Sequence, residues 1–300
     1  MSWLFFAIFA PVLYATTNFI EKYLLETKIK DPIIIVFFEA VPLTILGITA
    51  LIFLGFPPLP PPQLGLIILS GILLEFYLVP FFMALNLEDT SRVVPLFQFI
   101  PAFVLVISFL FLKETITTQQ FLGFLLIFSG GFVLGVKKMS GGVFKLRKAL
   151  YLMLLSSFLY AWTIILFKFV VVKIDFWTTI GYEFVGIGLG ALLLLLVPSF
   201  RQKLIHDGKR ADLKVLSLLS FAAILVVIAQ LSLSVAYKSV SVAIASVVSG
   251  TAQPLLIISF GLFLTTFFPK IVKEDISRKT IALKLGAIFL ITVGIFLIQL

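Results

Sequence analysis

The chain has 300 residues, of which 61% are hydrophobic and 12% charged, and its mean hydropathy is +1.20; a soluble domain holds about 45–50% apolar and about 25% charged residues, so a soluble fold is excluded. The net charge of +9 does not point to nucleic acid, because the 23 Lys and Arg fall in short clusters between apolar runs, where they serve topology and anionic headgroups. There is no cysteine, and the single histidine, His206, sits in the charged stretch RQKLIHDGKRADLK, so disulfides, thiolate sites and histidine metal clusters are excluded together.

Apolar runs near 3–20, 33–53, 64–84, 93–112, 119–136, 149–171, 177–197, 215–236, 241–266 and 281–298 predict about ten transmembrane helices. They are apolar on every side, whereas membrane-barrel strands would alternate over about ten residues. The first run lacks the basic start and small-residue cleavage site of a signal peptide and is expected to stay as a span. The prolines of GFPPLPPPQLG (55–65) predict a stiff, extended connection. KKMSGGVFKLRK (137–148) divides the chain near its middle as a basic linker.

The two halves repeat. Leu13-Tyr14-Ala15, with Thr17 and Lys22 after it, recurs 146 residues later as Leu159-Tyr160-Ala161, Thr163 and Lys168. Glu39, preceded by Phe38, recurs as Glu183 preceded by Tyr182; Ile107-Ser108-Phe109 recurs as Ile258-Ser259-Phe260; Leu122-Gly123 with Gly131 recurs as Leu285-Gly286 with Gly294. Five spans per repeat is an odd number, so the second half enters the membrane from the opposite side. The expected fold is an all-α membrane protein of two inverted five-helix repeats, 1–136 and 149–300, joined by the linker 137–148.

Leu13-Tyr14-Ala15-Thr16-Thr17-Asn18-Phe19, Ala84-Leu85, and Pro101 followed by Phe111-Leu112-Lys113-Glu114 resemble the drug/metabolite transporter superfamily, EamA type. The resemblance covers nearly the whole chain and implies two EamA-like repeats and export of amino acids, related metabolites or amphipathic drugs. Two features depart from the family pattern: Tyr14 stands where tryptophan is frequent, and Leu262-Phe263-Leu264-Thr265 lacks the counterpart of Glu114.

Nineteen Lys and Arg lie in connections after odd-numbered spans and four (Lys113, Lys168, Lys173, Lys238) after even-numbered ones. The positive-inside rule then places both termini outside, whereas the family resemblance implies both inside.

Three carboxylates fall within the predicted spans, each costing about 2.5–3.5 kcal/mol at a helix centre on an insertion scale. Glu75, near the middle of the third span, is a candidate to bind a cationic group or exchange a proton, the alternative being an interhelical hydrogen bond or ion pair. Glu39 and Glu183 are expected to serve gating or structural pairing, with a lysine such as Lys22 or Lys168 as partner, the alternative being contact with the substrate. Tyr14, Thr17 and Asn18 form a candidate cavity face that Tyr160 and Thr163 repeat. Tyr77, Gln98, Gln230 and Gln253 complete the polar set, with helix contact as the alternative reading. Pro95, Pro101 and Pro254 interrupt helix ladders. Gly131 with Gly135, and Gly186 with Gly190, have the spacing that permits close helix approach.

The sequence holds no nucleophile, metal cluster or phosphate loop of an intramembrane enzyme and no Walker motif. It therefore reads as a cofactor-free secondary transporter of the prokaryotic cell membrane, monomeric, in contact with lipids, with a small-molecule substrate and a proton as the simplest coupling ion. A carrier or flippase for a lipid-linked substrate is the alternative, and an intramembrane enzyme a more distant one.

Overall fold

The computed structural model describes residues 2–29, 31–112, 117–138, 144–207, 213–239, 242–269, 275 and 277–298. The chain runs through α1 (Ser2–Thr27), α2 (Pro32–Leu54), α3 (Pro61–Phe76), α4 (Leu78–Leu87) and α5 (Thr90–Val93). A 3-10 segment, Val94–Gln98, leads into α6 (Phe99–Leu112), followed by α7 (Thr118–Gly135) and a short antiparallel hairpin of β1 (Val136–Lys138) and β2 (Phe144–Leu146). The second half comprises α8 (Lys148–Val171), α9 (Phe176–Leu194), α10 (Pro198–Asp207), α11 (Leu213–Ser239), α12 (Val242–Phe267) and α13 (Arg278–Ile298).

Among the described residues, eight helical stretches are long and apolar enough to cross a membrane, counting Pro61–Leu87 and Thr90–Ile107 as one each. Two shorter apolar stretches, Thr118–Leu134 and Ala252–Phe267, lie in α7 and α12. Together they account for the ten predicted runs. The prolines of 55–65 do less than expected: Pro61 and Pro62 open α3, where a missing N–H costs nothing. The stretch before them is not helical: Gly55 ends α2 in the left-handed conformation at φ 72°, Phe56 follows at φ 49°, and Pro60 is extended at φ −57°, ψ 140°.

Two spans are interrupted, each at a proline. Pro80 cannot donate to the carbonyl four residues back, and the third span is interrupted at the single residue Tyr77, between α3 and α4. The backbone there stays right-handed helical (φ −65°, ψ −27°), and the Tyr77 N–H still bonds the Leu73 carbonyl at 3.0 Å. Pro95 lies in the 3-10 segment that splits the fourth. Adjacent serines of α8 serve both breaks: Ser156 donates to the Tyr77 carbonyl at 3.0 Å and Ser157 to the Leu96 carbonyl at 3.3 Å.

Glycines set the helix approaches. A Cβ on Gly71 of α3 would overlap the Glu183 carbonyl oxygen and lie 2.7 Å from the Cα of Gly186 on α9, and one on Gly190 would lie 2.8 Å from the Cβ of Glu75. These two helices therefore run parallel in near backbone contact. The expected packing roles of Gly186 and Gly190 hold, whereas Gly131 seats the ring of Phe99. Helices α2 and α9 are antiparallel, since Thr44 meets Gly188 and Leu51 meets Gly181. Helices α7 and α13 are antiparallel too, with Gly123 on Gly294 and Gly130 on Ala287 and Ile291.

Ion pairs gather at the end holding the odd-numbered connections. Lys203 after α9 pairs with Asp31 at 2.7 Å, and Arg147 binds Glu88. Buried Lys284 of α13 reaches the Ser91 hydroxyl, Asp89 at 3.4 Å and the Asp275 carbonyl. The Thr280 hydroxyl first, then the Ser277 backbone N–H, hold the Asp275 carboxyl down to about 2. Its contribution to stability is thus present above the ordinary carboxylate range, and is lost as the pH falls through about 2. We expect Asp89→Asn to destabilise the protein by about 1–3 kcal/mol, because it leaves the Lys284 ammonium buried without its carboxylate. Adding Lys284→Met should recover part of that loss, which thermal unfolding of the single and double variants in detergent measures.

Candidate functional site

The break in the third span places Glu75 and Tyr77 against helices from both halves. Tyr77 takes a T-shaped contact with Tyr160 of α8, ring centroids 4.8 Å apart, and an edge contact with Phe97 at 6.1 Å. Its phenol lies within electrostatic reach of Tyr14, Glu21 and Glu39. Tyr14 of α1 donates a hydrogen bond to Gln230 Oε1 of α11 at 2.8 Å. Five residues singled out in the sequence, Tyr14, Tyr77, Tyr160, Glu39 and Gln230, are thereby linked around one centre.

Glu75 is fully buried, and neither carboxylate oxygen has a hydrogen-bond partner among the described residues. It is close enough to Glu39 for their charges to interact. Glu39 in turn lies beside Glu21 of α1. Glu21 is a member of this group that the predicted first span, ending at residue 20, left out. Helix α1 continues to Thr27, and consecutive residues point about 100° apart, so Glu21 turns inward while Lys22 turns away.

The lysine partners differ from those expected. Lys22 donates to the carbonyls of Leu85 at 2.7 Å and Glu88 at 3.0 Å and pairs with Glu26 at 3.2 Å. It caps the unsatisfied end of α4 instead of meeting Glu39, because those carbonyls and the helix dipole offer it a better site. Lys168 is exposed on α8 and forms no ion pair with Glu183 within 4 Å. Glu183 instead accepts from Ser70 Oγ at 2.6 Å, and that oxygen also lies 3.2 Å from the Thr163 carbonyl. Nothing in the sequence marks Ser70 apart from its place on α3.

The remaining predicted residues are not drawn to the centre by a described contact. Thr17 donates to the Leu13 and Tyr14 carbonyls and Thr163 to the Leu159 carbonyl, so both hydroxyls serve their own helices. Asn18 and Gln98 are buried on the fifth turn of α1 and in the 3-10 segment, and Gln253 is half-buried on α12. Lys113 and Glu114 of the family motif lie outside the described residues, as do the side chains of Pro101, Phe111 and Leu112. Among the described residues no group of three acidic or histidine side chains could hold a metal ion.

A bundle of apolar helices, two of them interrupted around buried carboxyl and phenol groups, defines an integral multi-pass membrane protein with a polar centre. The EamA-like transporter family model matches residues 1–136. Over those 136 of the 300 residues the chain is similar to this family of membrane transporters of the drug/metabolite transporter superfamily. The fold is similar to that of a protein of known crystal structure, 15% identical, with a TM-score of 0.58 over 98% of this chain and 95% of that one. No curated protein matches the chain.

Proposed function

We propose that the chain is a secondary transporter that exports a small metabolite, amino acid or amphipathic drug by alternating access, as a monomer in a prokaryotic cell membrane. The observation that carries this reading is the interruption of the third span at Tyr77, which sets Glu75 and Tyr77 between helices of both halves. Interrupted helices at a half-to-half boundary are where carriers of this construction hold their solutes. The second half, 149–300, is read as a repeat of the first in inverted orientation. In support, the helices that would be equivalent, α2 with α9 and α7 with α13, run antiparallel. The basic end is read as cytoplasmic. It is read as the closed end, in support of which the ion pairs of Asp31, Glu88 and Asp89 bridge its connections.

The chain has no native cysteine, so single cysteines report access directly. A cysteine at Gln230 is expected to react with an impermeant maleimide from the side of the termini. Breaking the Arg147 and Glu88 pair with Arg147→Gln should lower that reactivity and raise the reactivity of Leu85→Cys from the basic side. Unchanged labelling at both positions contradicts alternating access at this centre.

A further inference from the structure

A serine in a membrane helix has a ready use for its hydroxyl, the carbonyl four residues back on its own helix. Ser129 of α7, Ser232 of α11 and Ser259 of α12 all take it, donating to the Leu125, Ile228 and Leu255 carbonyls at 2.7, 2.7 and 2.9 Å. Ser156 and Ser157 of α8 do otherwise. Both are fully buried, and each donates to a carbonyl of the other half, Ser156 to Tyr77 at 3.0 Å and Ser157 to Leu96 at 3.3 Å. Those two carbonyls lie at the interruptions of the third and fourth spans. From its own chain the Tyr77 carbonyl receives a longer bond, 3.3 Å, from the Phe81 N–H.

The rings next to those carbonyls meet the same face of α8. Tyr160, one turn beyond Ser156, meets the Tyr77 ring edge-on with centroids 4.8 Å apart, so α8 grips Tyr77 both by its carbonyl and by its ring. Phe97 follows Leu96 directly and contacts the rings of Tyr77 at 6.1 Å and Phe81 at 4.9 Å. The rings of Tyr77, Phe97 and Tyr160 keep part of their surface open, while the serines behind them keep none. The arrangement is one-sided. At the offset of 146 residues that relates Tyr14 to Tyr160, the first half has Ala10 and Pro11, whose side chains donate nothing. Helices α11 and α12 of the second half run without interruption, α12 even through Pro254. Breaks and donors thus form a matched set, the breaks in one half and the donors in the other.

We infer that Ser156 and Ser157 are positioning residues of the solute site, their two hydrogen bonds fixing the interrupted spans against α8 and so holding Tyr77 and Phe97 as one wall of that site. A proline-broken helix within a membrane needs donors and acceptors from its neighbours, because its own ladder is incomplete and the hydrocarbon supplies none. A hydroxyl on the facing helix meets that need and at the same time fixes how far the span turns about its break. The rings then stand where a solute meets them, and binding costs less ordering. The solute-binding role rests on the transporter reading, whereas the placement of the rings is a property of the isolated protein.

Fluorine NMR of the purified protein labelled with 3-fluorotyrosine tests the placement without a substrate. The chain has seven tyrosines, and Tyr77→Phe and Tyr160→Phe assign the two signals of interest. Ser156→Ala should shift both, and Ser157→Ala should shift that of Tyr77 through Phe97. The signals of Tyr151, exposed on α8, and Tyr182, bonded to the Pro57 carbonyl, should stay in place. Ser259→Ala, which removes a bond within one helix, should move neither Tyr77 nor Tyr160. Each alanine removes one oxygen and raises helix propensity; if Ser156→Ala does not fold, Ser156→Cys keeps the volume with a much weaker donor and gives the same readout. A Tyr77 signal unmoved by both serine changes overturns the placement. Counterflow of a labelled amino-acid mixture in proteoliposomes then reads the function. In Ser156→Ala the half-saturating concentration should rise at least about fivefold while the maximal rate changes less than about twofold, the pattern of lost solute binding. A bond that serves folding alone would lower the maximal rate, with the amount of folded protein, at constant half-saturation, and that result overturns the positioning role. A wild type without counterflow refutes the transporter reading for that mixture and the solute-binding role with it, and the fluorine signals still decide the placement of the rings.

Discussion

Replacing Gly71 with valine is expected to cost at least about 3 kcal/mol of stability and to remove most folded protein from the membrane. Inserting even a methylene into a well-packed core costs about 1–3 kcal/mol, and at Gly71 the atoms in the way are backbone. A Cβ there meets the Glu183 carbonyl oxygen and the Gly186 backbone, which cannot turn aside as a flexible side chain can. Separating α3 from α9 would also pull Ser70 from Glu183, the one side-chain hydrogen bond described across this interface. Gly286→Ala is the matched control. No atom lies within 4 Å of the added methyl group, so that change should be neutral or favourable by up to about 1 kcal/mol through helix propensity. Thermal unfolding in detergent, followed by size-exclusion chromatography, measures both. Equal stability of the two variants contradicts the close approach of α3 and α9.

Glu75→Gln is expected to leave the fold intact and to lower solute flux by at least about tenfold. The side chain keeps its size. Its Cβ stays against Gly190, so packing between α3 and α9 is preserved. What is lost is the capacity to hold or release a positive charge. A buried carboxyl without a hydrogen-bond partner among the described residues makes no interhelical bond there, and a purely structural role predicts that the amide is tolerated or improves stability. Flux and unfolding temperature therefore move independently under the functional reading.

How far the sequence reveals this arrangement depends on the scale of the signal. The spans are legible because hydrocarbon demands about twenty apolar residues, and a run of that length stands out whatever the tertiary structure. Their ends are less so. The Glu21-Lys22 pair reads as the edge of the first span, yet α1 continues to Thr27 because Lys22 finds the carbonyls ending α4 and Glu21 finds Glu39. Neither partner is visible along the chain. Pro80 does signal the break in the third span, by the rule that points to Pro95 in the fourth, but the sequence does not say that Ser156 and Ser157 donate to the Tyr77 and Leu96 carbonyls beside the two breaks. Tyr14, Tyr77, Tyr160, Glu39 and Gln230 were each identifiable as polar groups in apolar runs, and their convergence follows from how the halves pack. The lysines expected to neutralise Glu39 and Glu183 are spent elsewhere, because helix ends and water accept an ammonium at lower cost than the interior does.

Counterflow is the measurement that bears most directly on the carrier reading. Proteoliposomes are preloaded with an unlabelled amino-acid and metabolite mixture and then given labelled traces of the same compounds, for the wild type and for Glu75→Gln, with and without a pH gradient. A carrier that alternates around the Glu75 and Tyr77 centre predicts saturable uptake of at least one compound, transiently above its equilibrium level, and its loss in Glu75→Gln. Uptake that rises linearly with concentration, or a Glu75→Gln protein with undiminished counterflow, would contradict it.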